Sequence, residues 1–158
     1  MDEPRGTAPG GIIRRFMPND AQALTTLIGN TLLVSNTGDY TLEEISRLAA
    51  GYSSETMNAL ARSADVWVYE HDGVVQGVVC LDRSVIQAFF VAPDRQGRGV
   101  GRALMRVAEA AARRRGVAAL EVPASLTGIG FYEKMGFRSL GPGRSSGGVR
   151  IERMRKEL

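Results

Sequence analysis

Residues 91–104 of this 158-residue chain read VAPDRQGRGVGRAL, and this stretch guides the interpretation of the whole sequence. Glycine occupies alternate positions at Gly97, Gly99 and Gly101, between an apolar run that predicts a strand and an alanine-rich segment that predicts a helix. A glycine-rich turn that opens a helix exposes backbone N–H groups, and the helix dipole adds partial positive charge there. Three arginines surround the glycines: Arg95, Arg98 and Arg102. The stretch therefore predicts a cradle for the phosphate groups of a cofactor.

The spacing of the glycines excludes two common nucleotide-binding loops. A Walker A loop requires a lysine directly after its last glycine, and no lysine follows any of these glycines. A dinucleotide-binding fingerprint requires Gly-x-Gly-x-x-Gly, but its last position falls on Arg102 or on Leu104, depending on the starting glycine. A different phosphorylated cofactor is therefore expected.

Length and composition predict one globular domain. Hydrophobic residues make up 44% of the chain, enough for a core, and no internal repeat or linker divides it. Residues 1–10 contain two prolines, two glycines and no apolar stretch, so we expect a disordered tail followed by a single domain at residues 11–158. No window approaches the roughly 20 apolar residues of a membrane span, and without a secretory signal we expect a cytoplasmic location.

The composition also narrows the classes of partner. A net charge of +3 suits an anionic cofactor. Nucleic-acid binding is disfavoured because the arginines are spread out and no aromatic residues lie between them. Cys80, the single cysteine, lies within an apolar run, which predicts a buried thiol and excludes an intrachain disulfide. We expect no metal site and no membrane partner.

Hydrophobic periodicity predicts an α/β fold with a mixed, mostly antiparallel sheet flanked by helices. Three helices follow a first strand, and the second of them begins at a capping box formed by Thr41 and Glu44. A strand hairpin comes next, and its Gly77 predicts a bulge or a close backbone approach. Residues 84–122 read as strand, loop, helix and strand, which predicts one parallel pair. Residues 141–148, rich in glycine and serine, predict a loop or hairpin tip before the last strand.

A second motif lies about thirty residues after the glycine loop. Residues 131–137 read FYEKMGF, which is similar to the Phe-Tyr-Glu-Lys-x-Gly-Phe hallmark of the GNAT superfamily of N-acetyltransferases. The hexapeptide QGRGVG at residues 96–101 resembles the Gln/Arg-x-x-Gly-x-Gly/Ala motif by which that superfamily holds the pyrophosphate of coenzyme A. The two motifs stand in the family's order, and the resemblance extends over residues 12–158, with the nearest likeness to single-domain bacterial members.

The resemblance implies a GNAT-like sheet in which two neighbouring strands splay apart and form the cleft for acetyl-CoA. Pro93 and Pro123 stand at the ends of those strands and fit such a splay, because proline lacks the N–H that further pairing requires. The loop would hold the pyrophosphate, and backbone groups of the first splayed strand would hold the pantetheine arm. The implied cofactor-binding residues are Phe89, Phe90, Val91, Gln96, Gly97, Arg98, Gly99, Val100, Gly101, Arg102, Ser125 and Tyr132.

The resemblance also implies a catalytic role for Tyr132, as a general acid. Attack of an amine on a thioester expels a thiolate, and a phenol within hydrogen-bond distance can protonate that leaving group. The Val91 N–H would lie near the thioester carbonyl and act as an oxyanion donor. An alternative interpretation of Tyr132 is a core aromatic residue of an amphipathic helix. Ser125 is interpreted equally well as a helix N-cap and as a cofactor ligand.

The acceptor side of the site carries no single pattern. Many members of the superfamily have a glutamate base on the strand before the loop, whereas this chain has Gln87, an amide that orients an acceptor but does not titrate. Tyr40 and Glu43 lie at the junction of the first two helices, where they could contact the amine. The same residues are equally typical of a solvated, capped helix start. His71 has a suitable pKa but lies in a predicted hairpin turn. A base that acts through water, or an acceptor that arrives neutral, would need none of these residues.

Together these features predict an enzyme that moves an acetyl group from acetyl-CoA to a primary amine in one direct step within a ternary complex. The absence of a suitable cysteine nucleophile argues against an acyl-enzyme. The alternative function is a non-catalytic acyl-CoA-binding sensor or interaction module. A small molecule or a protein would supply the amine, and a domain of this size is compatible with a homodimer.

Overall fold

The structure of the chain, a computed structural model, describes residues 6–8 and 10–158. The strands are β1 (Gly6–Ala8), β2 (Gly11–Arg15), β3 (Asp65–His71), β4 (Val74–Asp82), β5 (Val85–Val91), β6 (Ala119–Ala124), β7 (Arg138–Arg144) and β8 (Arg150–Glu157). The helices are α1 (Ala21–Ser35), α2 (Leu42–Ala50), α3 (Ser54–Ser63), α4 (Val100–Arg114) and α5 (Ile129–Lys134). The strands of the described residues form one sheet in the order β1-β2-β3-β4-β5-β6-β8-β7, and only β5 and β6 are parallel neighbours. The predicted fold class is confirmed.

Helices cover both faces of this sheet. The apolar face of α4 packs on one side, with all five predicted positions buried: Val100, Leu104, Val107, Ala108 and Ala111. α1, α2 and α3 cover the opposite side, where Leu24, Ile45 and Met57 are buried. A ligand that extends from the α4 layer to the α1 layer must therefore pass through a gap in the sheet.

That gap lies between β5 and β6. The two strands share one paired position, Val85 with Glu121, and then diverge. At that position the Glu121 N–H donates to the Ser84 carbonyl over 2.9 Å, so Pro123, two residues further along β6, directs its missing N–H to the same side. Pro123 nevertheless stays in register with β8 on its other side. The strands thus form an open V, as predicted.

A β-bulge lies beside the gap. Cys80 pairs with Ala88 and Leu81 pairs with Ile86, which leaves Gln87 as the extra residue of β5. A bulge bends its strand and increases the local twist, so it favours the departure of β5 from β6.

Gly77 in β4 has both features that the sequence predicts. The register with β3 shifts between Tyr69 and Glu70, which leaves Gln76 as an extra residue next to Gly77. A Cβ atom on Gly77 would lie 3.1 Å from Cδ1 of Leu104, so α4 packs closely on the backbone there. The bulge and the close approach are both confirmed.

Two segments are more ordered than the sequence predicts. Residues 141–144, predicted as part of a loop, complete β7 and pair with β8, because the partner strand supplies hydrogen bonds that local glycine content does not reveal. β1 pairs with β2 although it lies in the predicted disordered tail, whose residues 1–5 and 9 lie outside the described part. None of the helices in residues 6–8 and 10–158 has the length and apolar character that a membrane span requires.

Candidate active site

A cleft of about 480 Å³ opens where β5 and β6 diverge. Ten predicted cofactor-binding residues line it: Phe89, Phe90, Val91, Gln96, Gly97, Gly99, Gly101, Arg102, Ser125 and Tyr132. Arg98 is exposed outside this lining, and the side chain of Val100 is buried in the core under α4. The structure therefore brings most of the predicted residues to one place.

The loop before α4 presents a row of backbone donors. Gly97 and Gly99 have φ values of +74° and +86°, the left-handed region that glycine adopts without strain. Among the residues that the structure describes, no backbone N–H group from residue 97 to residue 102 donates a hydrogen bond. These unpaired donors lie at the positive end of α4, an arrangement that suits an anion.

The side chain of Gln96 makes shorter hydrogen bonds than its backbone N–H does. Its N–H faces the Pro93 carbonyl over a long 3.4 Å. Its Nε2 donates to the Val91 carbonyl over 3.0 Å and to Ser35 Oγ over 3.2 Å. Gln96 thus ties the loop to the end of β5 and to the end of α1.

Gly101 is required by packing. A Cβ atom there would lie 3.1 Å from Cε2 of Phe131 and 3.5 Å from Cζ of Phe89. The rings of Phe131 and Phe89 stack with their centroids 5.1 Å apart. The third glycine of the motif therefore lets the aromatic floor of the cleft approach the first turn of α4.

The backbone of β5 faces the gap at alternate residues. The Ala92 N–H donates to the Gln76 carbonyl in β4 over 2.9 Å, so Val91 and Phe89 direct their N–H and C=O groups to the other side, into the gap. Phe90 directs its backbone towards β4 and lines the cleft with its ring. The predicted backbone contact to a pantetheine arm thus has a geometric basis at Phe89 and Val91 but not at Phe90.

The three arginines of the loop region differ in their surroundings. Arg102 lines the cleft, and Arg98 is exposed beside it. Neither forms an ion pair with any residue in the described part of the chain. Arg95 lies elsewhere, because its Nη2 contacts His71 Nδ1 over 3.1 Å at the turn between β3 and β4. Arg95 and His71 are therefore placed outside the cleft lining.

Tyr132 lies in an aromatic cluster at the floor of the cleft. It is 6% exposed, and its ring makes edge contacts with Phe131, Phe89 and Phe137 at centroid distances of 5.4, 6.0 and 5.6 Å. Its hydroxyl group has no hydrogen-bond partner among the described residues. Burial raises the pKa of Tyr132 well above the usual tyrosine value of about 10, so its proton is retained at neutral pH.

Ser125 caps the short turn that precedes α5. Its Oγ accepts a hydrogen bond from the Gly128 N–H over 3.1 Å, which confirms the predicted N-cap. Ser125 also lines the cleft, so a contact with a cofactor stays a prediction.

Tyr40 has a structural environment that the sequence does not predict. It is 5% exposed, and its hydroxyl donates to the Arg150 carbonyl over 2.7 Å. The same hydroxyl accepts from the Leu126 N–H over 2.9 Å. The single O–H donor of Tyr40 is therefore used, and Tyr40 fastens the turn after Ser125 to β8 without lining the cleft itself.

Glu43 and Gln87 also lie outside the cleft lining. Glu43 is exposed and pairs with Arg47 one turn along α2, over 2.6 Å. Gln87 is exposed at the β5 bulge, and its carbonyl accepts from the Tyr52 hydroxyl over 3.3 Å. The structure thus does not bring the three predicted acceptor residues together in the cleft.

The end of α1 supplies a wall that sequence reasoning missed. Thr31, Ser35 and Asn36 line the cleft, and Ser35 accepts a hydrogen bond from Gln96 of the loop. Nothing local in the sequence marks them, since polar residues near a helix end are ordinary. The only signal is that Thr31 and Asn36 are polar yet buried, which becomes visible in three dimensions.

Cys80 is buried on the α1 side of the sheet and does not line the cleft. Burial raises the pKa of its thiol to about 12, so the reactive thiolate is not formed at neutral pH.

A comparison with protein families identifies this architecture. The family model described as an acetyltransferase (GNAT) domain matches residues 36–158, more than three quarters of the chain. The chain belongs to the GNAT acetyltransferase family. It is accordingly an N-acetyltransferase, and the family implies acetyl transfer that depends on acetyl-CoA.

Individual relatives agree with this assignment. The uncharacterized N-acetyltransferase YafP of Escherichia coli (strain K12) is 28% identical over 128 residues, which cover 81% of each chain. A GCN5-related N-acetyltransferase from Rhodopseudomonas palustris superimposes with a TM-score of 0.89 at 24% identity, over 96% of this chain and 98% of that chain. The PaiA N-acetyltransferase of Thermoplasma acidophilum, solved in complex with coenzyme A, superimposes with a TM-score of 0.78 at 19% identity, over 92% of this chain and 98% of that chain. These structures show that the GNAT fold is shared.

Proposed function

We propose that this GNAT acetyltransferase transfers the acetyl group of acetyl-CoA directly to a primary amine within a ternary complex, with Tyr132 as the general acid. The observation that carries the proposal is the hydroxyl of Tyr132, which has no partner in the described residues and shares one cleft with the unpaired N–H groups of the glycine loop.

The residues present fit coenzyme A. The N–H groups of residues 97–102 would donate to the pyrophosphate, and Arg102 would add full charge at its side. The N–H and C=O groups of Phe89 and the carbonyl of Val91, which face the gap, would pair with the amides of the pantetheine arm as a neighbouring strand does. The cofactor would thus enter from the α4 face and direct its thioester into the gap between β5 and β6.

Tyr132 would act on the leaving group. When bound, acetyl-CoA supplies the acetyl thioester that the amine nitrogen attacks. As the carbon–nitrogen bond forms and the carbon–sulfur bond breaks, the sulfur takes the electron pair of the broken bond, and Tyr132 Oη donates a proton to it. The extra proton on the amine nitrogen passes to solvent, and solvent restores the proton of Tyr132. The products are the acetylated amine and free thiol.

Two further features support the scheme. The Val91 N–H faces the gap and would stabilise the negative charge that develops on the carbonyl oxygen. Cys80, the single cysteine, is buried outside the cleft with a raised pKa, so it does not suit the formation of an acyl-enzyme.

The test is a steady-state assay of thiol release from acetyl-CoA with a panel of primary amines. Wild-type double-reciprocal plots should intersect, as a ternary complex requires. Tyr132→Phe should lower kcat by about 10²–10⁴-fold, the usual contribution of a general acid, and leave the Kd for coenzyme A within about twofold.

Tyr52→Phe is the matched control, because it removes a hydroxyl that lies outside the cleft lining and affects Tyr132 only by adding to the rise in its pKa, less than burial does. Its kcat should stay near the wild-type value. Parallel double-reciprocal plots would contradict direct transfer, and an unchanged kcat in Tyr132→Phe would remove that residue from its role. Binding of acetyl-CoA without turnover of any amine would favour a non-catalytic sensor.

A further inference from the structure

Asn36 is a buried polar residue whose side chain has no hydrogen-bond partner in the part of the chain that the structure describes. It is 6% exposed and lines the cleft. Its side-chain amide makes no hydrogen bond within residues 6–8 and 10–158. An amide offers two donors and one acceptor. Its polar atoms are not among the described side-chain atoms that are fully buried without a partner, so they are reachable from the cleft. The side chain is therefore available to a ligand in the cleft.

The role of Asn36 as the C-cap of α1 does not account for its side chain. Its φ of −107° and ψ of −5° lie outside the left-handed region that favours asparagine or glycine. Its N–H donates to the Leu32 carbonyl, and its carbonyl accepts from the N–H groups of Asp39 and Tyr40, each over 3.1 Å. These capping bonds use only the backbone, and alanine would keep them.

The neighbours of Asn36 tie it to both sides of the gap. Ser35 Oγ accepts from Gln96 Nε2, which also binds the end of β5. Tyr40 donates its N–H to the Asn36 carbonyl and accepts at its hydroxyl from the Leu126 N–H, just beyond β6. The backbone of Asn36 is therefore held beside both strands of the gap, and its side chain lines the cleft there.

That position is where a second substrate would approach. The α1 layer and the α4 layer lie on opposite faces of the sheet. A cofactor held at the start of α4 occupies the α4 side, so an acceptor would reach the thioester from the α1 side. We infer, on the basis of the proposed function, that the side-chain amide of Asn36 binds the acceptor and selects amines that carry a neutral amide or hydroxyl group beside the reacting nitrogen.

The charge of the lining supports this class of acceptor. Arg102 is the one charged side chain among the described residues that line the cleft, and it is a cation. A second ammonium group on the acceptor would find no carboxylate in that lining, because Asp39 lies outside it and already accepts a hydrogen bond from Thr127. A neutral amide or hydroxyl group, in contrast, can both donate to and accept from Asn36.

The experiment compares three amines that differ in the group beside the nitrogen: alaninamide, isopropylamine and 1,4-diaminobutane. The wild type should prefer alaninamide in kcat/KM. Asn36→Ala should raise the KM for alaninamide by about tenfold, the loss of one or two hydrogen bonds, and change the KM for isopropylamine by less than about twofold. The KM for acetyl-CoA should also change by less than about twofold. Asn36→Asp should shift the preference towards 1,4-diaminobutane, because it places a carboxylate at the same position.

Asn30→Ala is the matched control, since Asn30 is exposed on the same helix and does not line the cleft. An equal rise of the KM for alaninamide in Asn30→Ala and Asn36→Ala would overturn the inference, and so would a higher KM for acetyl-CoA in Asn36→Ala. In either case turnover by the wild type would still support the proposed function. Failure of the wild type to acetylate any amine would contradict the proposed function and this inference together. If Asn36→Ala did not fold, the selectivity of Asn36→Asp would decide.

Discussion

The two walls of the cleft use different parts of the polypeptide. The loop wall, residues 97–102, presents backbone N–H groups, whereas the α1 wall, formed by Thr31, Ser35 and Asn36, presents polar side chains. Backbone donors exist whatever the side chains are, so the loop wall depends on the conformation that its glycines permit. The α1 wall changes with every substitution. The family match begins at Asn36 and so includes the whole loop wall but only the edge of the α1 wall. A short motif can therefore identify a cofactor while it says little about the acceptor.

The walls also differ in charge. The loop wall combines the positive end of α4 with Arg102, whereas the α1 wall is neutral. The loop wall thus suits the phosphate groups of the cofactor, and the α1 wall suits a neutral polar group on the acceptor.

The largest effect is expected from a substitution that changes the backbone of the loop wall. Gly97 has a φ of +74° and Gly73, in the β3–β4 turn, has a φ of +77°, and no atom of the described residues lies within 4 Å of a new Cβ at either position. Valine is strained at either position. Gly97→Val should weaken coenzyme A binding by about 100-fold, because two or more charge-assisted hydrogen bonds are lost when the loop relaxes. Isothermal titration calorimetry measures this change.

Gly73→Val serves as the control for strain alone. Both variants should unfold at a similarly lowered temperature, and only Gly97→Val should lose affinity. An equal loss of affinity in both variants would show that general destabilisation, and not the loop wall, controls binding.

A smaller effect is expected behind the α1 wall, at Tyr40. Tyr40→Phe leaves the Arg150 carbonyl and the Leu126 N–H without their partner, which should cost about 1–3 kcal/mol in the free energy of unfolding. The turn that carries Ser125 should loosen, and kcat should fall several-fold while coenzyme A affinity changes little. Urea unfolding and steady-state kinetics measure both quantities. Tyr52→Phe loses one hydrogen bond of 3.3 Å and should lower the free energy of unfolding by about 0.5 kcal/mol. A larger loss in Tyr52→Phe than in Tyr40→Phe would contradict the structural role of the Tyr40 hydroxyl.

The smallest effect concerns the core beneath α1 and depends on pH. Burial raises the pKa of the Cys80 thiol to about 12, whereas the unfolded value is about 8.5. A pKa raised by folding gives stability that is complete below the unfolded value and is lost as the pH rises towards the folded value, because only the unfolded state releases the proton. The free energy of unfolding should fall by about 1 kcal/mol between pH 8.5 and pH 9.5 from this group. Cys80→Ala should lack that decrease and keep wild-type kcat; an identical decrease in both proteins would exclude Cys80 as its source.

The loop wall could be predicted from sequence because its causes are local. The positive φ at Gly97 and Gly99 requires glycine, and the apolar spacing of α4 follows from helix geometry alone. The capping box of Thr41 and Glu44 is likewise local, and both of its hydrogen bonds are 3.1 Å long. The conformation of these segments is determined by their own residues, so the local sequence is sufficient to predict it.

The α1 wall could not be predicted, because its placement depends on distant contacts. The bond from Leu126 to Tyr40, which positions the residues after Asn36, joins groups 86 positions apart. The bulge at Gln87 is likewise set by pairing with β4, and not by the residues on either side of it. The sequence predicts an acceptor contact at Tyr40 for the same reason, because it shows a polar group but not the partner of that group.

The most direct measurement of the central claim is a titration that follows the backbone amide resonances of the loop wall by nuclear magnetic resonance. Coenzyme A and pantetheine share the arm that would lie along β5, but pantetheine lacks the phosphate groups. We expect coenzyme A to shift the amide resonances of residues 97–102 together with those of Phe89 and Val91, and pantetheine to shift Phe89 and Val91 alone. Coenzyme A that binds without shifting the loop resonances would contradict the account.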